Sequence, residues 1–230
     1  YEVLLGLLGR EYLAARGAPP EALARQDPAM PPFDPIRDRQ YGPHVGYGFN
    51  IAWRGDHDGD GFNQRTMDLV NGAGFSWIRF QAIWRDIETR PGRYDTHALD
   101  RIIDTAAANG VKIVVSVVGP PTWVDPNGMM PMDPSSYGKL MEFLAKRYAG
   151  KVQAWEIWNE QNLAYTTGGH VDVGRYVNLL KAAYQGVKKA DPHALVLFGG
   201  LTPTGVMDPS IAIDDVEYLR MVYAYNNGEV

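Results

Sequence analysis

The run VKIVVSVVG, residues 111–119, decides the fold. It is an almost unbroken series of β-branched apolar residues. A strand with one wet face alternates apolar and polar positions, whereas a strand covered on both faces reads as a continuous run, as strands of parallel sheets do. The flanking segments fit crossover helices. Upstream, Thr96 is placed to cap a helix whose apolar positions Leu99, Ile102, Ile103 and Ala106 recur at helical spacing, and Gly110 is placed to end it. Downstream, Asp133-Pro134 starts a helix carrying Leu140, Phe143, Leu144 and Tyr148 on one face.

The same alternation extends in both directions. HVGYGFNIAW (44–53) reads as a strand, and NQRTMDLVNGA (63–73) as a helix with Asn63 as N-cap and Gly72 or Gly74 as stop. FSWIRFQ (75–81) and VQAWEIW (152–158) are strands, residues 171–190 a helix stopped by Asp191-Pro192, ALVLFGG (194–200) a fifth strand and 214–225 a fifth helix. Five strand–helix units with no hairpin signal predict parallel strands joined by right-handed crossovers. A doubly wound sheet and a barrel both fit. No glycine-rich phosphate fingerprint follows the first strand, which disfavours the nucleotide-binding sheet. The expected fold class is therefore α/β, a (β/α)8 TIM barrel. Residues 44–230 hold about its first five units, and roughly three are lacking, since a whole barrel takes about 250 residues.

Residues 1–43 differ. A short amphipathic pattern over 1–18 gives way to a segment with Pro19, Pro20, Pro28, Pro31, Pro32, Pro35 and Pro43, which reads as a linker or an arm on a domain surface. The string YEVLLGLLGRE resembles the tail of a small module of secreted bacterial proteins. Tyr1 is not an initiator methionine and no secretory signal is visible, so the chain reads as a piece of a longer precursor; the resemblance to a module of secreted proteins implies an extracellular destination.

Composition narrows the chemistry. The 230 residues carry a net charge of −5, which gives no reason to expect nucleic acid or an anionic membrane as partner. The absence of cysteine excludes disulfides, thiolate catalysis and cysteine-based metal sites. No stretch is long and apolar enough to span a bilayer. The 6 Trp and 13 Tyr are a rich supply of the flat apolar faces on which sugar rings pack, although many of them must be core.

The string VQAWEIWNEQN (152–162) carries the chemistry. Strand alternation would set Val152, Ala154, Glu156, Trp158 and Glu160 on one side. The string ends in Asn159-Glu160 at the C-terminal end of a strand, where barrel enzymes place their active sites. A carboxyl that protonates a leaving oxygen and then deprotonates a water, beside an amide that holds a sugar hydroxyl, suits glycosidic cleavage. The competing reading is a solvated loop glutamate.

These residues resemble the clan of retaining glycosidases with (β/α)8 barrels, in which an Asn-Glu pair closes the fourth strand. The nearest family by this resemblance is glycoside hydrolase family 39, which includes β-xylosidases. Supporting strings are GFSWIRFQAIWRDIETRPGRYD (74–95), ANGVKIVVSVVGPPTWV (108–124) and LFGGLTPTG (197–205). The resemblance implies Glu160 as acid/base, Asn159 as the amide on the 2-hydroxyl, and Arg79 as a partner of the nucleophile. The residues alone allow Arg79 a structural pair with Glu156, since a buried guanidinium needs a carboxylate. Trp84, Trp123 and Trp158 are candidate subsite walls, and Tyr165 and His170 candidate substrate contacts. Two features depart from the clan pattern. Gln161 replaces the usual proline, and the nucleophile, a glutamate ending the seventh strand, is not in this sequence; Glu217 and Glu229 are poorly placed for that role.

The resemblance implies a carbohydrate substrate, no cofactor and no metal, and the missing half of the barrel as a possible partner. The alternatives are a non-catalytic carbohydrate-binding barrel and an unrelated barrel enzyme. The loop RGDHDGDGFNQ (54–64) sets Asp56, Asp58 and Asp60 at calcium-loop spacing, but Met67 stands at the twelfth position, so it reads as a solvated acidic loop or a rim of the cleft.

Overall fold

The computed structural model describes residues 48–53 and 61–225. The readings made for residues 1–43 and for Asp56, Asp58 and Asp60 lie outside the described residues. In chain order the elements are β1 (Gly48–Asn50), α1 (Phe62–Gly72), β2 (Trp77–Ile83), the single turn α2 (Trp84–Ile87), β3 (Glu88–Arg90) and β4 (Arg93–Tyr94). There follow α3 (His97–Ala108), β5 (Lys112–Val118), α4 (Ser135–Arg147), β6 (Ala154–Ile157), the single turn α5 (Ala164–Thr167) and α6 (Val173–Ala190). The last are β7 (Leu195–Phe198), β8 (Met207–Asp208), β9 (Ala212–Ile213) and α7 (Asp215–Ala224).

Five strands form one parallel sheet in the order β1-β2-β5-β6-β7. Each new strand joins the edge just made and the order never reverses. A doubly wound sheet reverses at a switch point, so this is the wall of an α/β barrel, five units of it. The helices follow the same order. Helix α1 packs on α3, α4 on α6 and α6 on α7, and Arg147 of α4 pairs with Asp100 of α3 at 2.6 Å.

The continuous apolar run behaves as its composition requires. Ile113, Val115, Ser116 and Val117 of β5 are wholly buried. The outer strands differ: all three residues of β1 are exposed, as is Leu195 of β7, because each pairs on one side only among the described residues. The helix limits fall within a residue or two of the sequence reading. Gly61, not Asn63, stands at the N-cap of α1, and Pro134 precedes the first residue of α4. Asp133 still serves that end by accepting the Ser135 N–H at 2.9 Å. The absence of hairpins is corrected: β3–β4 and β8–β9 are short antiparallel pairs inserted in the loops after β2 and β7. Two- and three-residue strands carry too few positions for an alternation to be read. Among the described residues no helix is long and apolar enough to cross a membrane.

Candidate active site

Strand β6 ends at Ile157 because the backbone turns sharply there. Trp158 has φ 68° and Glu160 φ 54°, left-handed values that cost a side-chain-bearing residue energy unless neighbours enforce them. The enforcement is visible group by group. The Ser116 hydroxyl donates to the Trp158 carbonyl at 3.0 Å, and the Tyr176 hydroxyl to the Ile157 carbonyl at 3.1 Å. The Glu160 N–H donates to the Gly200 carbonyl at 2.8 Å. The Glu160 carbonyl accepts from the Leu163 N–H at 2.9 Å and the Thr166 hydroxyl at 2.7 Å.

This turn overrides the alternation expected from the sequence, which set Trp158 and Glu160 on one continuing strand face. Trp158 is instead 3% exposed and edge-on to Tyr137, with ring centroids 6.4 Å apart. Glu160 remains half-buried at the rim, and its Oε2 accepts a hydrogen bond from the Tyr165 hydroxyl at 3.0 Å.

Below the turn lies a polar network. The Arg79 Nε donates to Glu156 Oε2 at 2.6 Å, its NH2 group to Asn159 Oδ1 at 2.8 Å, and its NH1 group to Asn50 Oδ1 at 3.1 Å. The Gly200 N–H completes Glu156 through Oε1 at 2.9 Å. Arg79 thus joins β1, β2, β6 and the amide beside Glu160, and the Glu156 pair considered from the sequence is present. Gly200 serves both carboxylate-bearing residues, its N–H on Glu156 and its carbonyl on the Glu160 backbone.

The aromatic candidates separate by burial. Trp84 is fully buried, with its indole N–H on Glu88 at 2.7 Å and its ring against Tyr137 and Trp123. Neither Trp84 nor Trp158 leaves a face for a sugar ring, which corrects their reading as subsite walls. The strand-end position was right, but the helix layer closes over both rings. Trp123 is 36% exposed and Tyr165 65%. His170 is exposed at the end of the Glu160 loop, where its carbonyl accepts from Thr167.

Three residues unnoticed in the sequence hold the site. Ser116 is the lone hydroxyl in the apolar run, a signal that was legible. Asn50 follows a strand pattern with nothing to mark it. Asn162 is buried and staples the loop: it donates to the carbonyls of Thr202 (2.8 Å) and Ile213 (2.9 Å) and accepts the Thr202 N–H (3.0 Å). Gln161, at the position of the clan's proline, is also buried and donates to the Gly199 carbonyl at 2.7 Å. The departure therefore replaces a rigid residue with a hydrogen-bonded one.

Parallel strands wound in one direction, with the loops after β5, β6 and β7 at their C-terminal ends, are the architecture of an α/β barrel, in which that end carries the active site. The chain belongs to glycosyl hydrolase family 5: the model of the family described as Cellulase (glycosyl hydrolase family 5) matches residues 39–225. Among curated proteins none matches it. Similar solved structures include a family 39 glycoside hydrolase from the gut symbiont Bacteroides cellulosilyticus WH2 (TM-score 0.55, 22% identity, 65% of this chain and 31% of that one). Another is the exo-β-1,4-mannosidase Op5Man5 from Opitutaceae bacterium strain TAV5 (0.55, 19%, 73% and 36%). A third is endo-glycoceramidase II from Rhodococcus sp. (0.52, 20%, 70% and 52%). At these identities the likeness concerns the fold, and the chain spans between 31% and 52% of the length of these three structures.

Proposed function

We propose that this chain contributes the acid/base half of a retaining glycosidase site acting on a β-linked oligo- or polysaccharide outside the cell. Glu160 protonates the departing glycosidic oxygen, then takes a proton from the water that releases the sugar. Asn159, oriented by Arg79, holds the hydroxyl next to the reacting carbon. The exposed ring of Trp123 offers a face to sugar rings. The nucleophilic carboxylate comes from a later strand of the completed barrel, beside Arg79. The observation that carries this reading is the Trp158–Glu160 turn. A backbone pinned at several polar groups in an unfavourable conformation, presenting a half-exposed carboxyl at a strand's C-terminal end, is the mark of a preorganised group.

The test is Glu160→Ala in the enzyme with its barrel complete. Turnover of alkyl glycosides should fall roughly 10² to 10⁴-fold, the contribution of a positioned general acid. Dinitrophenyl glycosides, which need no protonation, should keep their rate of bond cleavage. Azide should restore turnover and yield the β-glycosyl azide. Unchanged hydrolysis of alkyl glycosides would show that Glu160 is not the acid. An inactive complete barrel that still binds oligosaccharide would favour a binding module.

A further inference from the structure

We propose that Tyr165 is a positioning residue for Glu160, its hydroxyl clamping Oε2 so that Oε1 is the oxygen that faces the leaving group. This rests on the reading of Glu160 as the acid/base.

The geometry supports a positioning role more than a packing one. The ring of Tyr165 is 65% exposed, so it adds little to the core, yet its hydroxyl lies 3.0 Å from Glu160 Oε2. Among the described residues no other hydrogen bond reaches that carboxylate. Tyr165 is on α5, a single turn that does not hold its place by itself. It is tied back to the glutamate and outward to its neighbours. Thr166 donates to the Glu160 carbonyl at 2.7 Å and to the Leu163 carbonyl at 2.9 Å. The Ala164 N–H donates to the Ile211 carbonyl at 2.9 Å, and the Arg175 guanidinium to the Thr167 carbonyl at 2.6 Å. The hydroxyl is thereby placed relative to the Glu160 backbone by a closed loop of hydrogen bonds. A glutamate side chain has three rotatable torsions, and an ångström of misplacement at a reacting atom costs heavily in rate. A fixed donor on one oxygen removes that freedom and leaves the other oxygen to meet the glycosidic bond. Consistent with this contact, the hydrogen bond to Glu160, with burial and the nearby charge adding to it, raises the Tyr165 phenol above its ordinary ionisation range.

A sugar-stacking tyrosine acts through its ring, and a positioning tyrosine through its hydroxyl. Tyr165→Phe separates the two, and the exposure of the ring means the variant should fold. In the enzyme with its barrel complete, Tyr165→Phe should lower kcat/KM on alkyl glycosides about tenfold, the usual worth of a hydrogen bond to a charged group. The loss should fall on kcat, with KM within about twofold, and kcat/KM on dinitrophenyl glycosides should not move, because only proton donation is impaired. Thr166→Val, which frees α5 from the Glu160 carbonyl, should show the same leaving-group dependence in weaker form. An equal loss on both substrates, a change confined to KM, or no change in Tyr165→Phe would overturn the assignment. Failure of Glu160 itself is read separately, from alkyl glycoside turnover by Glu160→Ala.

Discussion

At the scale of single residues, the site depends on buried hydroxyls that meet backbone carbonyls at strand ends. Ser116 and Tyr176 satisfy Trp158 and Ile157, and Tyr137 donates to the Val117 carbonyl at 2.7 Å. Trp158 lies just past the end of β6, Ile157 is its last residue and Val117 is the last residue of β5 paired with β6, positions where a buried carbonyl is easily left without a donor. Ser116→Ala should therefore cost about 1–3 kcal/mol, the penalty for an unsatisfied buried carbonyl, read as a lower midpoint in urea at unchanged slope. An unchanged midpoint would mean that the turn does not need this bond. The lone hydroxyl of Ser116 in an apolar run is a signal the sequence carries, although the reading of that run as a buried strand passed over it. Its acceptor is not legible there, because Trp158 is 42 residues away along the chain.

At the scale of elements, the closest helix contact is the crossing of α4 and α6. A Cβ on Gly186 would sit 2.3 Å from the Gly138 carbonyl oxygen and 3.1 Å from the Glu142 nitrogen, both backbone atoms. No rotamer change relieves such a clash, so the helices must part. Gly186→Ala gains about 1 kcal/mol of helix propensity, while overpacking costs about 1–3 kcal/mol in ordinary cores and more against backbone. The expected net is destabilisation. A Cβ on Gly72, at the last turn of α1, would have nothing within 4 Å. Gly72→Ala should be neutral or stabilising by up to about 1 kcal/mol. Thermal melts of the two variants check the pair, and equal shifts would refute the close crossing. The sequence marks Gly72 as a candidate helix stop and leaves Gly186 as a helical residue that propensity disfavours; that Gly186 meets a neighbouring backbone was not legible there, because it depends on which distant helix packs against it.

At the scale of the molecule, the core is stitched by tyrosines, and this makes stability fall in alkali. Burial holds Tyr137, Tyr176 and Tyr218 protonated well above the ordinary phenol range, and raises Tyr94 to about 12, with Glu88 adding to it. The folded-state values exceed the unfolded ones, so the stabilisation is whole below pH ~10. Above it the unfolded chain releases protons that the fold retains. Unfolding free energy should then drop by about 1.4 kcal/mol per pH unit for each such tyrosine. Urea unfolding at pH 8, 10 and 11 measures this, and a flat response would show that the phenols are solvated. The same scale shows β1 and β7 each pairing on one side only among the described residues.

Patterns that repeat along the chain determined the architecture: the β-branched run of β5, the helical spacing of Leu99 to Ala106 and the strand–helix alternation imply a parallel sheet wherever the residues meet. They also set Asn159 and Glu160 at a strand end. Which tryptophans face solvent, which carboxylate Arg79 meets and how β6 turns were decided only in three dimensions. Trp84 and Trp158 look as available as Trp123 in the sequence, yet helix-borne Tyr137 covers both. The reason is range. Periodicity is a local property of backbone geometry, whereas burial and hydrogen-bond pairing depend on which distant segment packs above a residue, as Ser116, Tyr176 and Gly200 do around the turn that presents Glu160.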